Sequence, residues 1–100
     1  MRTTSWRELQ AESLAAMTPD ERAEYDLAGQ EAELKLRLAE LVYKARTGAG
    51  LSQTELARRV GTSQPVISSI ENGAQVPTVP TLFRIARALD QDLRVEISAA

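Results

Sequence analysis

The sequence contains no cysteine and no histidine in its 100 residues. Without cysteine it forms no disulfide and no thiolate metal site. Without histidine it lacks the commonest metal ligand and the commonest general base. No Gly-rich phosphate loop is present, so its acids have no evident catalytic company. The expectation is a protein that is not an enzyme and uses no metal or cofactor. No apolar run approaches the ~20 residues needed to cross a bilayer. The first residues, MRTTSWRELQ, lack the apolar stretch of a signal peptide. A soluble, cytoplasmic protein is therefore expected.

What is present is a chain sized for one compact domain plus an appendage. The formal net charge of −2 hides an asymmetry. Residues 7–33 carry eight acids against two Arg, whereas residues 36–89 carry seven bases against three acids. An acidic front and a basic rear suggest two surfaces with different partners. A solvated helix face that happens to be acidic fits the front equally well.

Helical signals run through most of the chain. Ser5 and Glu8 are spaced as a capping box for a short helix over about residues 5–16. Thr18-Pro19-Asp20-Glu21 is a helix start, with a cap, a Pro in the first turn and two carboxylates at the positive end of the dipole. From Pro19 to about Arg46 the pattern reads as one long helix, or as two broken near Gly29. Leu34, Leu38, Leu41, Val42 and Ala45 fall at helical spacing and are expected to face a core. Gly48 and Gly50 end the segment. Ser52-Gln53-Thr54-Glu55 is a second capping box, with Leu56, Ala57 and Val60 on the buried side. Gly61 turns the chain, and Ser63 is expected to cap the next helix over Gln64–Asn72. Thr78 caps a last helix, on which Leu82, Ile85, Ala86 and Leu89 form one apolar face. Leu93, Val95 and Ile97 alternate with Arg94 and Glu96, which predicts a short strand.

The stretch LSQTELARRVGTSQPVISSIENG (residues 51–73) carries the functional signal. Two short helices joined by a Gly turn are the layout that lays a second helix in the DNA major groove. Such a helix needs one packed side and one side offering hydrogen-bonding groups to base edges. Ile67 and Ile70 serve the first need. Gln64, Ser68 and Ser69 serve the second, Gln being able to bond adenine at N6 and N7 together. Gln53 starts the preceding helix, where backbone N–H groups can meet a phosphate. Arg58, Arg59 and Arg84 add charge that could follow the backbone. Spacing alone also fits a small helical bundle with ordinary caps.

These residues closely resemble the helix-turn-helix of the phage Cro and CI repressor superfamily, the XRE family. The resemblance rests on Gln53, Glu55, Leu56, Ala57, Val60, Gly61, Ser63, Gln64, Ile67, Ile70, Glu71, Asn72 and Gly73, and extends over about residues 38–90. It implies an all-α fold: a five-helix, lambda-repressor-like domain over residues 34–90. An acidic helical extension (1–33) precedes it and a strand or tail (91–100) follows. It further implies that Gln53, Ser63, Gln64, Pro65, Ser68, Ser69 and Asn72 contact bases or phosphates, and that Arg46 and Glu71 form a structural ion pair. Pro65 stands where many relatives carry a polar base-reading residue. It offers only shape or methyl contact, so readout falls mainly to Gln64, Ser68 and Ser69.

The acidic front together with this domain resembles HigA-type antitoxins, which block a small basic RelE-like (HigB-like) ribonuclease and repress their own operon. The resemblance implies double-stranded operator DNA and a toxin as partners. Trp6, Leu9, Tyr25 and Leu27 are candidate apolar anchors for the toxin. Trp6 and Tyr25 could instead pack on the chain's own core. A stand-alone regulator with no toxin is the alternative. A homodimer on a palindromic site is expected, because one small domain buries too little surface for tight, selective binding. Its interface could be the Leu93–Ile97 strand or the long front helix.

Overall fold

Ser5 and Thr18 open the first two helices by the same reciprocal device. The Ser5 hydroxyl accepts from the Glu8 N–H while the Glu8 carboxylate accepts from the Ser5 N–H. Thr18 and Glu21 repeat the exchange at 3.2 Å each way. Each box satisfies two backbone donors that a helix start leaves without partners. The computed structural model describes residues 5–100. Five helices follow in order: α1 (Trp6–Ala15), α2 (Pro19–Gly48), α3 (Gln53–Val60), α4 (Gln64–Glu71) and α5 (Val79–Ala88). The chain divides into two units, the first ending at Glu33 and the second spanning Leu34–Ala100. Four of the five helices contribute residues to the second unit.

Gly29 does not break α2, which runs unbroken through it. One glycine costs a helix only about 1 kcal/mol, and 29 other residues hold the ladder. The helix gives way at Gly48, and Gly50 reverses the chain at φ 72°.

The core of the second unit is aliphatic: Val42, Leu56, Ala57, Ile67, Ile70, Ile85 and Leu89, with Ala45, Leu51, Val60, Val66, Leu82 and Ala88 packed around them. Helix α3 sits centrally, packing on both α4 and α5. Leu56 and Ile67 are wholly buried. The sequence reading of α2 needs correction. Val42 is buried and Leu38 and Ala45 are half-buried, but Leu34 and Leu41 are exposed and Ala39 is buried instead.

Residues 91–100 form no strand, and no strand occurs among the described residues. The alternation of Leu93, Val95 and Ile97 is real, but a strand exists only through hydrogen bonds to a neighbour. No such neighbour is present in the single chain, and Val95 and Ile97 remain exposed.

Candidate nucleic-acid interface

Helices α3 and α4 are held by a turn that only glycine enters cheaply. Gly61 lies at φ 84°, and the N–H groups of Gly61 and Thr62 both donate to the Ala57 carbonyl at 2.9 Å. The chain then starts α4 at Ser63. Here the expected side-chain cap is missing. The Ser63 carbonyl instead accepts from Val66 and Ile67.

The 3.6-residue period of α4 divides its side chains cleanly. Ile67 and Ile70 are buried and Val66 is half-buried. Gln64 and Pro65 are exposed and Ser68 and Ser69 half-buried, together covering an arc of about 140° on the other side. The arc carries no charge. The one carboxylate of the helix, Glu71, is turned away and neutralised.

That neutralisation comes from Arg46 of α2. Its Nε and Nη2 donate to the two Glu71 oxygens at 2.7 and 2.8 Å, and its Nη1 donates to the Leu51 carbonyl at 2.8 Å. The side chains are 11% and 5% exposed. The hydrogen bonds it donates to Glu71 push the pKa of the Arg46 guanidinium above its ordinary value, and the Tyr43 ring lies 5.5 Å from it. One residue therefore ties α2, the loop before α3 and the end of α4.

The pair anchors a chain of amides reaching the surface. Gln53 Nε2 donates to Glu71 Oε1 at 3.3 Å, and Gln64 Nε2 donates to Gln53 Oε1 at 2.8 Å. Glu71 can only accept, so it fixes the Gln53 amide nitrogen inward and the Gln53 oxygen towards Gln64. Gln64 is thus pre-set at the leading end of α4. Nothing in the sequence pattern announced this contact between residues 11 apart.

The other expected contact residues are placed as follows. Asn72 Oδ1 accepts from the Ala74 N–H at 2.9 Å, shaping the turn after α4 and leaving its amide nitrogen as a donor. Arg58 and Arg59 are exposed, but both lie on Glu55, with contacts of 2.6 and 3.1 Å. Glu55 was expected to complete the capping box of α3. Ser52 does accept from the Glu55 N–H at 3.0 Å, but the Glu55 carboxylate turns to the two arginines. Those hydrogen bonds hold its carboxyl well below the ordinary 4.5, at about 2. The (i, i+3) and (i, i+4) spacing was the available signal for this cluster. Arg84 is exposed on α5.

In the first unit, Trp6, Leu9 and Tyr25 line one shallow depression with Gln10, Ser13, Leu14 and Met17. Gln10 Nε2 donates to the Tyr25 hydroxyl at 3.1 Å. Trp6 stays 77% exposed, so it is not packed into a core. Leu27 does not line this depression. It lies two residues from Tyr25, about 200° round the helix.

The helix-turn-helix family model HTH_3 matches residues 42–95. Antitoxin HigA1 of Mycobacterium tuberculosis is 41% identical over 66 residues, which is 66% of this chain and 44% of that protein. The chain thus spans less than half the length of that relative. An HTH-type transcriptional regulator of Methanothermobacter thermautotrophicus is 40% identical over 52 residues, 52% of this chain and 75% of that protein. A solved toxin-antitoxin module from Streptococcus pneumoniae superposes with a TM-score of 0.50 at 26% identity, covering 96% of this chain and 94% of that one. With more than half its residues inside the match, and the turn, core and ion pair in place, this chain belongs to the helix-turn-helix family of XRE type.

Proposed function

We propose that this chain is a sequence-specific DNA-binding repressor that is also the antitoxin of a toxin–antitoxin pair. The observation that carries the DNA-binding half is the uncharged arc of α4, headed by an exposed Gln64 already oriented through Gln53 and Glu71. Helix α4 enters the major groove, Gln64 reads a base edge, and Ser68 and Ser69 add less selective contacts. Ser63, Gln53 and Asn72 lie where donors meet phosphate. Two copies bind a palindromic operator with their reading helices about 34 Å apart. The work is done in the cytoplasm.

The antitoxin half rests on the acidic front, on the Trp6–Leu9–Tyr25 depression, and on similarity to proteins named as antitoxins and toxin–antitoxin modules. A basic RelE- or HigB-like toxin complements the acids, and the exposed Trp6 supplies an anchor. Gln64→Ala should cost roughly 1–3 kcal/mol of operator affinity and relax selectivity at one base. Unchanged affinity in a competition assay removes Gln64 from the readers. Co-expression with the neighbouring small reading frame tests the second half. Failure to form a complex or to rescue growth leaves the alternative, a stand-alone regulator, which the match to the Methanothermobacter regulator favours.

A further inference from the structure

The last ten residues hold an apolar row that is only partly covered. Leu93 is half-buried and lines a groove with Leu41, Val42, Leu82, Ile85 and Leu89, but Val95 is 70% exposed and Ile97 wholly so. In extended backbone these three alternate residues fall on one face, with Arg94 and Glu96 on the other. Among the described residues neither Arg94 nor Glu96 makes an ion pair. Groove and row both belong to the second unit.

The order of side chains about Val95 is self-complementary. If a strand meets its own copy antiparallel with a two-fold axis at Val95, residue 95+k stands opposite residue 95−k. Side chains directly opposed in this way lie on the same face of the pair. Leu93 then meets Ile97, Val95 meets its own equivalent, and Arg94 meets Glu96 at both ends. Other registers fail. An axis at position 94 sets Arg94 on its own equivalent and Glu96 on Asp92. An axis at position 96 sets Glu96 on its own equivalent. A slip of one residue opposes apolar side chains to charged ones. An in-register parallel pair places like charge beside like.

We propose that two copies of this chain pair through residues 93–97, antiparallel about Val95, as a two-stranded ribbon. The second copy supplies the neighbour that the alternation of Leu93, Val95 and Ile97 requires. A two-stranded ribbon alone is marginal in water and needs a packed face. Here the apolar face begins at Leu93, which already lies in the groove between α2 and α5, so helices of the second unit can back it. A self-complementary patch is what a closed two-fold dimer requires. A second copy also fits better than a strand from a partner of one sign. A basic strand would be repelled by Arg94 and an acidic one by Glu96, whereas a reversed copy satisfies both.

This interface rests on the two-copy reading of the proposed function. The chain has no cysteine, so Val95→Cys supplies one thiol per copy. Directly opposed residues in an antiparallel pair have Cα atoms about 4.5–5.5 Å apart, within disulfide reach. Full-length Val95→Cys should link to a covalent dimer under mild oxidation. Asp92→Cys should not, since the two copies of that position stand about 20 Å apart in this register. In sedimentation equilibrium at low salt, Arg94→Glu and Glu96→Arg should each raise the dimer dissociation constant roughly tenfold, and the two together should restore it. None of these positions belongs to the buried cluster, so far-UV circular dichroism should find the helices intact in every variant. A native dimer that does not link through position 95, links equally through position 92, or ignores the charge changes overturns this interface and leaves the two-copy reading intact. A chain that stays monomeric, and binds its operator one copy at a time, overturns both.

Discussion

Asp90 lies at φ 55°, in a region where a side chain crowds its own backbone. It ends α5: its N–H donates to the Arg87 carbonyl, and the Gln91 N–H donates to Ala86 at 2.8 Å. Asp90→Gly should therefore stabilise the second unit by about 1 kcal/mol, read as a higher melting temperature. Glu71 presents the opposite case. Replacing it with Ala leaves the Arg46 guanidinium buried and unpaired, and should cost roughly 3–5 kcal/mol in denaturant unfolding. Gln53 and Gln64 would also lose their orientation, so operator affinity should fall even where the variant is folded. Glu55 acts through its charge. Its carboxyl ionises near 2 in the folded chain, below its ordinary 4.5. Its contribution to stability is therefore complete above about pH 4.5 and disappears as the pH falls towards 2. Carboxyl carbon shifts followed over that range should show Glu55 titrating near 2, below an ordinary glutamate. Glu55→Gln should release Arg58 and Arg59 and tighten binding to every duplex alike, with a steeper salt dependence.

At the scale of elements, the sequence pointed to most helix boundaries because caps are local. Ser5, Thr18, Ser52 and Thr78 each accept the N–H three residues on. Ser63 fits the same pattern and fails, since the Val66 N–H three residues on goes to the Ser63 carbonyl and not to its hydroxyl. Glu55 fits the capping box and half fails, since two arginines compete for its carboxylate. The ion pair of Arg46 and Glu71 came from family resemblance rather than from spacing, because 25 residues separate the two. The burial of α2 was legible only in part. Its leucines have the period of a core face, but Val42 joins the buried cluster while Leu34 and Leu41 stay bare. The Leu93–Ile97 strand was misread for the same kind of reason. Alternation specifies which faces a strand would show, and a strand also needs a neighbour that a single chain does not hold.

At the scale of the whole molecule, charge and apolar surface are divided along the chain. The front holds eight of the fourteen acids, an exposed Trp6 and no buried side chain among its described residues. The rear holds the buried cluster and helix α4. A unit of this size buries little surface on its own, so a partner that binds only its folded form would add to its stability. The account depends most on α4 being the element that enters the groove. Its most direct test is the amide spectrum of the isotope-labelled chain, titrated with a duplex from its own promoter. The account predicts that Gln53 and the amides from Gln64 to Ser69 shift or broaden most, while those of Leu89 and Val95 stay still. Shifts confined to other helices, with Gln64 to Ser69 unmoved at saturation, would contradict it.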